Sequence, residues 1–244
     1  MAKRLKPLAW LLIVATTTIL IILIVRSVDS WRERVEILAF DLLHSNPEVT
    51  RKQQIREIFS GFHKIEFDDI PKEFRNRSGM NKRENRNKLR HLTFYKVRKS
   101  DLYRRIAGKD RLRDLVSADN GHRRESIFSD REFYFALDTD VLHLLMDIRR
   151  AMAEKGLDVD ELDIISGYRT PAHNRNVGGK SESRHQLGDA IDLMIGDVDG
   201  NGRVDREDKR AVVGIARKVI GNRGGLGVYA RSIHIDTRGH AARW

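Results

Sequence analysis

Hydrophobic and polar positions follow several different periods along this chain of 244 residues. Residues 7–25 carry no charged side chain and approach the roughly 20 apolar residues that a membrane-spanning helix needs. Residues 31–62 have apolar positions at helical spacing with a break near Pro47, which predicts two helices. Residues 75–90 have almost no apolar side chains, and we expect a loop or a disordered stretch there. Apolar residues return in 92–116, which favours a small helical or mixed module.

The last third of the chain mixes helical and strand periods. Apolar residues at helical spacing predict a helix over 138–155, with Asp140 as a possible N-cap, and another over 209–220. Shorter apolar or alternating runs predict three strands, at 162–165, around 190–193 and at 232–236. The order predicts an α+β domain, a small antiparallel sheet with helices, behind one N-terminal transmembrane helix.

Three side chains of this last third predict a catalytic metal site. His185, Asp192 and His234 are two imidazoles and one carboxylate, a set that leaves the fourth tetrahedral position on zinc open. Each of them alone is more often a satisfied core group than a ligand. Asp192 follows Gly188, which permits a tight turn, and stands inside an apolar strand, where a carboxylate is costly unless it is paired or bound to a metal. Two adjacent strands would bring Asp192 and His234 together, and the set favours a hydrolase.

Several motifs in the right order resemble a known family. They are Ser-Gly-Tyr-Arg-Thr at 166–170, Ser-x-His-x-x-Gly-x-Ala-x-Asp at 183–192, Gly-Gly-x-Gly-x-Tyr at 224–229 and His-Ile-Asp-x-Arg-Gly from 234. Residues 132–244 are similar to the zinc D-Ala-D-Ala peptidase family. That family includes murein endopeptidases and phage endolysins, and it shares its fold with the hedgehog signalling domain.

The resemblance implies a chemistry and a substrate. The family's zinc ligands correspond to His185, Asp192 and His234, and its substrate-orienting, charge-stabilising arginine corresponds to Arg169. The implied protein is a membrane-anchored zinc metallopeptidase of the D-Ala-D-Ala carboxypeptidase or endopeptidase type. It would hydrolyse peptidoglycan stem peptides or cross-links with a metal-activated water as nucleophile. A phage-type endolysin of the same chemistry and a non-catalytic, zinc-retaining cell-wall-binding module are the alternatives.

One departure from the family concerns the general base. Many members carry an acidic residue three positions before the last histidine ligand, and Arg231 stands there in this chain. Arginine does not accept a proton at neutral pH. Asp236 is the first candidate base because it shares a strand face with His234, although it could equally fix an imidazole tautomer. Glu182 is the second candidate.

A second metal motif follows at 197–208. Oxygen-bearing side chains occupy positions 1, 3, 5, 9 and 12 of an EF-hand-like loop, with glycine at position 6 and Val204, expected to anchor the loop to the core, at position 8. The predicted Ca²⁺ ligands are Asp197, Asp199, Asn201, Arg203, Asp205 and Asp208. We expect a structural calcium ion. The alternative is an acidic turn that binds nothing.

The first residues predict the location. Lys3, Arg4 and Lys6 precede the apolar segment, so the positive-inside rule keeps the N-terminus in the cytoplasm. We therefore expect a single-pass protein of a bacterial cytoplasmic (inner) membrane whose catalytic domain is periplasmic or otherwise extracytoplasmic. A cleaved signal peptide is the alternative, but Arg26-Ser27-Val28-Asp29 supplies no small-residue cleavage pattern.

The composition suggests a division of the chain into three regions and limits the possible partners. We predict an N-terminal tip and anchor at 1–28, a basic, partly helical region at 29–130 and the zinc peptidase domain at 131–244. Most of the net charge of +11 lies in the second part, and the chain has no cysteine. This positive charge could attract anionic lipid headgroups or an anionic cell wall, or it could simply belong to a solvated surface. The expected partners are peptidoglycan and the membrane. Nucleic acid is not expected, and the sequence identifies no protein partner.

Overall fold

The computed structural model describes residues 7–117 and 131–244, and the chain forms two compact units, Met1–Ser45 and Asn46–Trp244. The first unit contains one long helix, α1 (Pro7–Leu43). Among the residues described, no helix has the length and apolar character needed to cross a bilayer. The described residues therefore do not support the predicted transmembrane helix at 7–25. Part of it falls outside the described residues, since the side chains of 7–9, 12–13 and 20–25 are not among them.

The second unit is a mixed α/β structure. Its helices are α2 (Lys52–Ser60), α3 (Lys72–Arg77), α4 (Arg83–Leu89), α5 (Leu112–Leu115), α6 (Asp140–Ala153), α7 (Pro171–Asn176) and α8 (Arg206–Ile220). Its strands are β1 (His63–Ile65), β2 (Phe94–Arg98), β3 (Arg105–Ala107), β4 (Asp110–Arg111), β5 (Glu132–Ala136), β6 (Leu162–Ser166), β7 (Ala190–Ile195), β8 (Gly225–Val228), β9 (Ser232–Asp236) and β10 (Ala242–Arg243). The break predicted near Pro47 is present, with α2 as the second helix of 31–62, whereas the first is the end of α1.

A five-stranded sheet carries the last third of the chain, in the order β10-β8-β9-β7-β6. All of its pairs are antiparallel except β10 with β8, which is parallel. The predicted α+β class with a small antiparallel sheet is therefore confirmed for this region. Helices α6 and α8 begin close to where they were predicted. The α6 N-cap is Thr139 instead of Asp140, and α8 begins at Arg206 because Asp205 caps it.

A three-stranded antiparallel sheet, β1-β2-β5, joins the earlier and later parts of the second unit. Phe94 of β2 lies opposite Ala136 of β5, and Arg98 lies opposite Glu132. The predicted domain boundary between residues 130 and 131 stays a prediction. In the chain it falls between β2 and β5, two strands of one sheet, and the compact units divide between residues 45 and 46. One hydrophobic core includes Phe94 as well as residues of the five-stranded sheet.

The segment 75–90, expected to be a loop or disordered, is largely helical. It contains the end of α3 and the whole of α4. Its two apolar anchors, Met80 and Leu89, are almost completely buried, and the Asn85 amide donates a 2.8 Å hydrogen bond to the Gly79 carbonyl. Few apolar residues are enough here because each of them reaches the core, which is why composition alone gave the wrong prediction.

Candidate metal centre

Strands β7 and β9 lie side by side, as the sequence predicts. Asp192 of β7 is directly opposite His234 of β9 in the antiparallel register. Their neighbours Ile191, Leu193 and Ile233 are fully buried on the other face of the sheet. The pleat therefore directs both polar side chains to one face while the apolar residues form the core below.

His185 reaches the same face from a short turn, Arg184–Leu187, which ends at Gly188. Gly188 has φ of 77°, the left-handed conformation that the sequence allowed for. A Cβ at this position would collide with the backbone of Ala136. The ligand turn therefore packs directly on the end of β5, and only glycine fits there.

Three donor atoms of these side chains converge. The Nε2 of His185 lies 3.1 Å from Oδ1 of Asp192 and 3.1 Å from Nδ1 of His234, and the last two atoms are 2.9 Å apart. A tetrahedral zinc ion with bonds of about 2.0 to 2.1 Å separates its donors by about 3.3 Å. The three side chains fit zinc with only a slight expansion of this triangle.

Hydrogen bonds on the far side of each imidazole determine which nitrogen faces the metal position. The Nδ1 of His185 donates to the carbonyl oxygen of Gly167 at 2.7 Å, which leaves Nε2 free to bind. The Nε2 of His234 donates to Asp236 at 3.1 Å, which leaves Nδ1 free. Such outer partners are what a metal-binding histidine needs for a defined tautomer and ring orientation.

The ionisation of the three groups is compatible with binding a cation. Burial alone would raise the pKa of Asp192, but its contacts with the His185 and His234 imidazoles hold that pKa well below its usual range. Burial lowers the pKa of His185 in spite of its contact with Asp192. Burial acts the same way on His234, but Asp192 and Asp236 more than offset it, so the pKa of His234 is raised. In the metal-free protein, His185 is thus the imidazole more readily kept neutral.

Arg169 lies beside the metal position and contacts one of the candidate ligands. Its guanidinium forms an ion pair with Oδ2 of Asp192, and its Nε donates to Oγ of Ser166 at 2.9 Å. The other oxygen of Asp192 faces the two histidines. Arg169 therefore orients a candidate ligand as well as bordering the cleft.

Earlier residues hold the turn that carries Arg169. A Cβ on Gly167 would stand 2.7 Å from the Cα of Leu115 and 2.8 Å from its carbonyl oxygen. The amide of Thr170 donates to Oγ of Ser117. Leu115 is fully buried, so this contact is part of the core.

The two candidate bases occupy very different places. Asp236 is completely buried behind His234 and accepts hydrogen bonds from the Gly225 amide and from Arg238. These donors hold the pKa of Asp236 low although burial opposes them, and the residue is placed to orient the imidazole. Glu182 borders the cleft on an exposed loop and forms an ion pair with Lys88 of α4. Arg231 is exposed and is not among the residues that line the cleft.

An open cleft of about 530 Å³ lies over the metal position. Trp244 and Tyr229 form part of its wall, and the two aromatic side chains are each about half exposed. Lys88, Ser166, Gly167 and Arg238 also contribute to the site and were not predicted. Of these, Ser166 and Gly167 stand in the motif Ser-Gly-Tyr-Arg-Thr and Arg238 in His-Ile-Asp-x-Arg, whereas Lys88 has no such signal.

The predicted calcium loop is a tight turn in which the Asn201 amide donates to Asp197 and Asp199 and the Asp205 amide donates to Asp208. Carboxylate oxygens of Asp197, Asp199 and Asp208 all lie within 4.8 Å of one another. Asp205 caps α8 by accepting from the Glu207 amide at 2.8 Å. The Asn201 side chain accepts from the Arg203 amide within the loop at 2.9 Å.

The anchor of this loop is also different from the prediction. Val204 is 44% exposed, whereas Val198 is 1% exposed. The amide of Asp158 donates to the carbonyl of Val198 at 2.8 Å. The second position of the loop, rather than the eighth, therefore attaches it to the core.

Comparison with protein families gives one match, in which residues 117–236 fit the model described as Peptidase M15. This segment contains the three converging side chains, Arg169 and the acidic loop. Searches of curated proteins and of solved structures find no match.

Proposed function

Residues 117–236 belong to the Peptidase M15 family of zinc metallopeptidases, and from this premise we propose that the protein hydrolyses peptide bonds of peptidoglycan stem peptides or cross-links. The predicted resemblance to zinc D-Ala-D-Ala peptidases is thereby confirmed. The observation that carries the proposal is the triangle of His185, Asp192 and His234 donors at the base of an open cleft.

These three residues would hold the zinc ion. When bound, zinc acts as a Lewis acid and lowers the pKa of a water molecule to about 7. Gly167 and Asp236 keep the two imidazoles in the tautomers that binding requires. Arg169 holds the free oxygen of Asp192, and its position on the cleft lets the same guanidinium stabilise negative charge on a peptide carbonyl.

Proton transfer needs a group on the cleft side of the site. Among the described residues, Glu182 is the one carboxylate besides Asp192 that lines the cleft, whereas Asp236 lies behind His234. We assign the proton-accepting role to Glu182. Glu182→Gln should lower kcat and leave the zinc content unchanged. Asp236→Asn should instead weaken zinc binding about 10- to 100-fold, the usual effect of losing such an outer partner.

A non-catalytic, zinc-retaining cell-wall-binding module is the second candidate. It is favoured by Arg231 at the position where many relatives carry an acidic base. The exposed Glu182, which is paired with Lys88, also makes a weaker base than a carboxylate fixed beside the metal. If Glu182→Gln and the wild-type chain both bind peptidoglycan without cleaving it, this second function is correct.

We test the main proposal by digestion of purified peptidoglycan with the zinc-loaded full chain and with its His185→Ala variant. New muropeptides released by the wild type alone would support a peptidase, and their masses would identify the bond. Zinc content and the folded state of both proteins are measured in parallel. Intact peptidoglycan with a folded, zinc-containing wild type would refute the peptidase.

The location is part of the proposal. We place the chain at a bacterial cytoplasmic membrane, with the N-terminus inside and the compact unit Asn46–Trp244 outside, because residues 7–25 carry no charge and follow three basic side chains. Protease treatment of intact spheroplasts should degrade the second unit. A protected second unit would contradict this topology.

We also propose that calcium binds at Asp197, Asp199 and Asp208 and stabilises the fold. Asp208 is fully buried at the start of α8, so an ion there would link the acidic loop to the helix that follows. Calcium should raise the Tm of the wild type and leave that of Asp199→Ala unchanged. Magnesium serves as the control ion. An equal Tm with calcium and with a calcium chelator would exclude the site.

A further inference from the structure

The segment 72–90, which contains α3 and α4, carries a strong excess of positive charge. It has eight lysine or arginine side chains and two acidic ones, a surplus of six. This surplus is more than half of the net charge of +11 of the whole chain. Six of the eight basic residues are exposed, namely Lys72, Arg77, Lys82, Arg83, Arg86 and Arg90.

Three of these arginines form a stripe on one face of α4. Arg83, Arg86 and Arg90 stand at positions i, i+3 and i+7, which lie on the same side of a helix. Asn85 and Leu89 occupy the opposite side, and both are buried. The arginine stripe therefore faces away from the core and spans about 10 Å of helix.

The charge of the arginine stripe is largely uncompensated within the protein. Arg86 lies 3.3 Å from Asp68, but the same carboxylate oxygen also pairs with Arg75 at 2.7 Å. Among the described residues, no ion pair is found for Arg83 or Arg90. Like charges three or four residues apart destabilise a helix, so the stripe lowers stability without an internal partner. Such a local conflict is typical of a surface that binds something of opposite charge.

The helix that carries the stripe also borders the cleft over the metal position. On its inner side, Lys88 forms an ion pair with Glu182, which lines the cleft. A smaller cavity of about 270 Å³ separates α4 from the turn that carries His185, and it shares Glu182 and Ser183 with the cleft. The stripe is thus about one helix diameter, about 10 to 12 Å, from the cleft wall. A polymer bound to the stripe would have its neighbouring units within reach of the cleft.

The basic surface suits an extended polyanion better than a small anion or a lipid layer. A small anion needs several donors that converge, but none of the six exposed cations is among the described residues that line the cleft or the smaller cavity. Helices that bind a membrane surface also insert apolar side chains, and in the described stretch 46–117 no large hydrophobic side chain is exposed. Arginine pairs readily with carboxylates, so a polymer with repeated carboxylates matches the surface.

We propose that the arginine stripe of α4, with the cations around it, is an exosite that binds the carboxylates of polymeric peptidoglycan while one stem peptide enters the cleft. This rests on the proposed function. It assigns recognition of the polymer to residues 72–90, outside the segment 117–236 that matches the family. The exosite raises the effective concentration of stem peptides at the metal position and takes no part in hydrolysis. Its contribution therefore depends on a polymeric substrate.

The first test measures binding and does not depend on turnover. The chelator-treated full chain is sedimented with purified, insoluble peptidoglycan from which phosphate-bearing polymers have been removed. The triple variant Arg83→Gln, Arg86→Gln, Arg90→Gln should raise the Kd about tenfold, because three exposed ion pairs of modest strength together give a change of this size. An unchanged Kd would overturn the proposal. Binding of the wild type only to walls that retain their phosphate polymers would also overturn it.

A matched variant controls for the loss of net charge. Lys155→Gln, Arg217→Gln, Lys218→Gln removes three exposed cations that are not among the residues lining the cleft. This control should leave the Kd within about twofold of the wild type. Equal losses in the two triple variants would show that the overall charge, rather than the stripe, attracts the polymer.

A change in the polymer tests the chemistry of recognition. Conversion of the peptidoglycan carboxylates to amides should weaken binding of the wild type and abolish the difference between the wild type and the stripe variant. The same difference on amidated and unmodified peptidoglycan would exclude the carboxylates as the bound groups.

Hydrolysis separates the exosite from the metal centre. With the zinc-loaded full chain, the stripe variant should release muropeptides from insoluble peptidoglycan about tenfold more slowly than the wild type, in line with its weaker binding. Its kcat/KM for an isolated stem peptide should be unchanged. Equal losses on both substrates would show a general defect and contradict the exosite. Absence of hydrolysis of either substrate by the wild type would count against the proposed function, and the binding measurements then decide the inference.

Discussion

Residues 46–116 and residues 131–244 contribute differently to one compact unit. The later region supplies all three converging side chains of the metal centre, and the earlier region supplies none of them. The earlier region instead supplies strands β1 and β2 beside β5, and Leu115 against the turn that carries Arg169. The comparison teaches that the residues that perform the chemistry and the residues that hold them in place come from different stretches of the chain.

Separation of the two regions is the most severe way to break this arrangement. A fragment of residues 131–244 would leave β5 without its partner strand and expose Phe133 and Phe135, which are now buried. Exposing a large apolar side chain costs about 1.5 to 3 kcal/mol, and several such losses exceed a total stability of about 5 to 15 kcal/mol. We expect residues 131–244 to show no cooperative unfolding transition by circular dichroism, whereas residues 46–244 unfold cooperatively. A well-folded shorter fragment would show that the regions are independent.

A single buried ion pair also joins the two regions. Arg149 of α6 donates to Asp110 at 2.6 Å, and Asp110 also accepts from the Ile164 amide of β6 at 3.1 Å. Both side chains are buried, so Asp110→Ala leaves a buried guanidinium without its counterion. We expect urea unfolding to show a free energy of unfolding about 3 to 5 kcal/mol lower than that of the wild type. The exposed pair of Arg210 and Glu207 is the control, and its disruption should cost less than about 1 kcal/mol.

A smaller change tests the contact between Leu115 and the arginine turn. Gly167→Ala places a methyl group against the backbone of Leu115, which cannot move aside as a flexible side chain would. We expect the free energy of unfolding to fall by about 1 to 3 kcal/mol. We also expect a lower kcat, because the turn must shift and displace Arg169. Gly214→Ala is the control. It lies in α8 with open space around its Cβ and should stabilise the protein by about 0.5 to 1 kcal/mol. Full activity of Gly167→Ala would show that the contact does not position Arg169.

The smallest expected effect is a pH dependence in the earlier region. Burial raises the pKa of the Asp114 carboxyl to about 6, although the Arg111 amide and Arg113 oppose this. The unfolded value is about 3.9, so the folded protein binds the proton more tightly and this group's contribution to stability falls as pH rises from about 4 to about 6.

Asp114→Asn should remove that decline. The free energies of unfolding of the wild type and Asp114→Asn should differ by less than about 2 kcal/mol, because water still reaches 32% of the Asp114 side chain. Urea unfolding at several pH values measures it, with Glu154→Gln, an exposed carboxylate, as the control. Identical pH profiles for the wild type and Asp114→Asn would contradict the prediction.

Much of the candidate metal centre could be predicted from the sequence because its residues stand in short local motifs. His185, Asp192 and His234 stand in short motifs, and the alternation around His234 placed Asp236 on the same face. The role of Asp236 was left open between a base and a partner of the imidazole. Four of its five hydrogen-bond donors belong to Gly225 and Arg238, and alternation within one strand does not reveal them.

The earlier region was harder to predict because its structure depends on distant partners. Nothing within 92–98 indicates that β2 pairs with β5, which begins 34 residues after β2 ends. Glu182 was a candidate base on position alone, and its ion pair with Lys88 joins residues 94 positions apart. Val204 failed as an anchor because the loop attaches through Val198 instead. Local periodicity predicts which elements form, and only long-range packing decides what they contact.

The register between β7 and β9 gives the metal centre a further property. Asp192 and His234 face each other in one alignment of these strands, and a slip by one residue would turn one of the two side chains toward the core. A misaligned sheet therefore has no zinc site. Zinc binding at the proposed site would therefore require that the centre of the sheet has already assembled in the correct register.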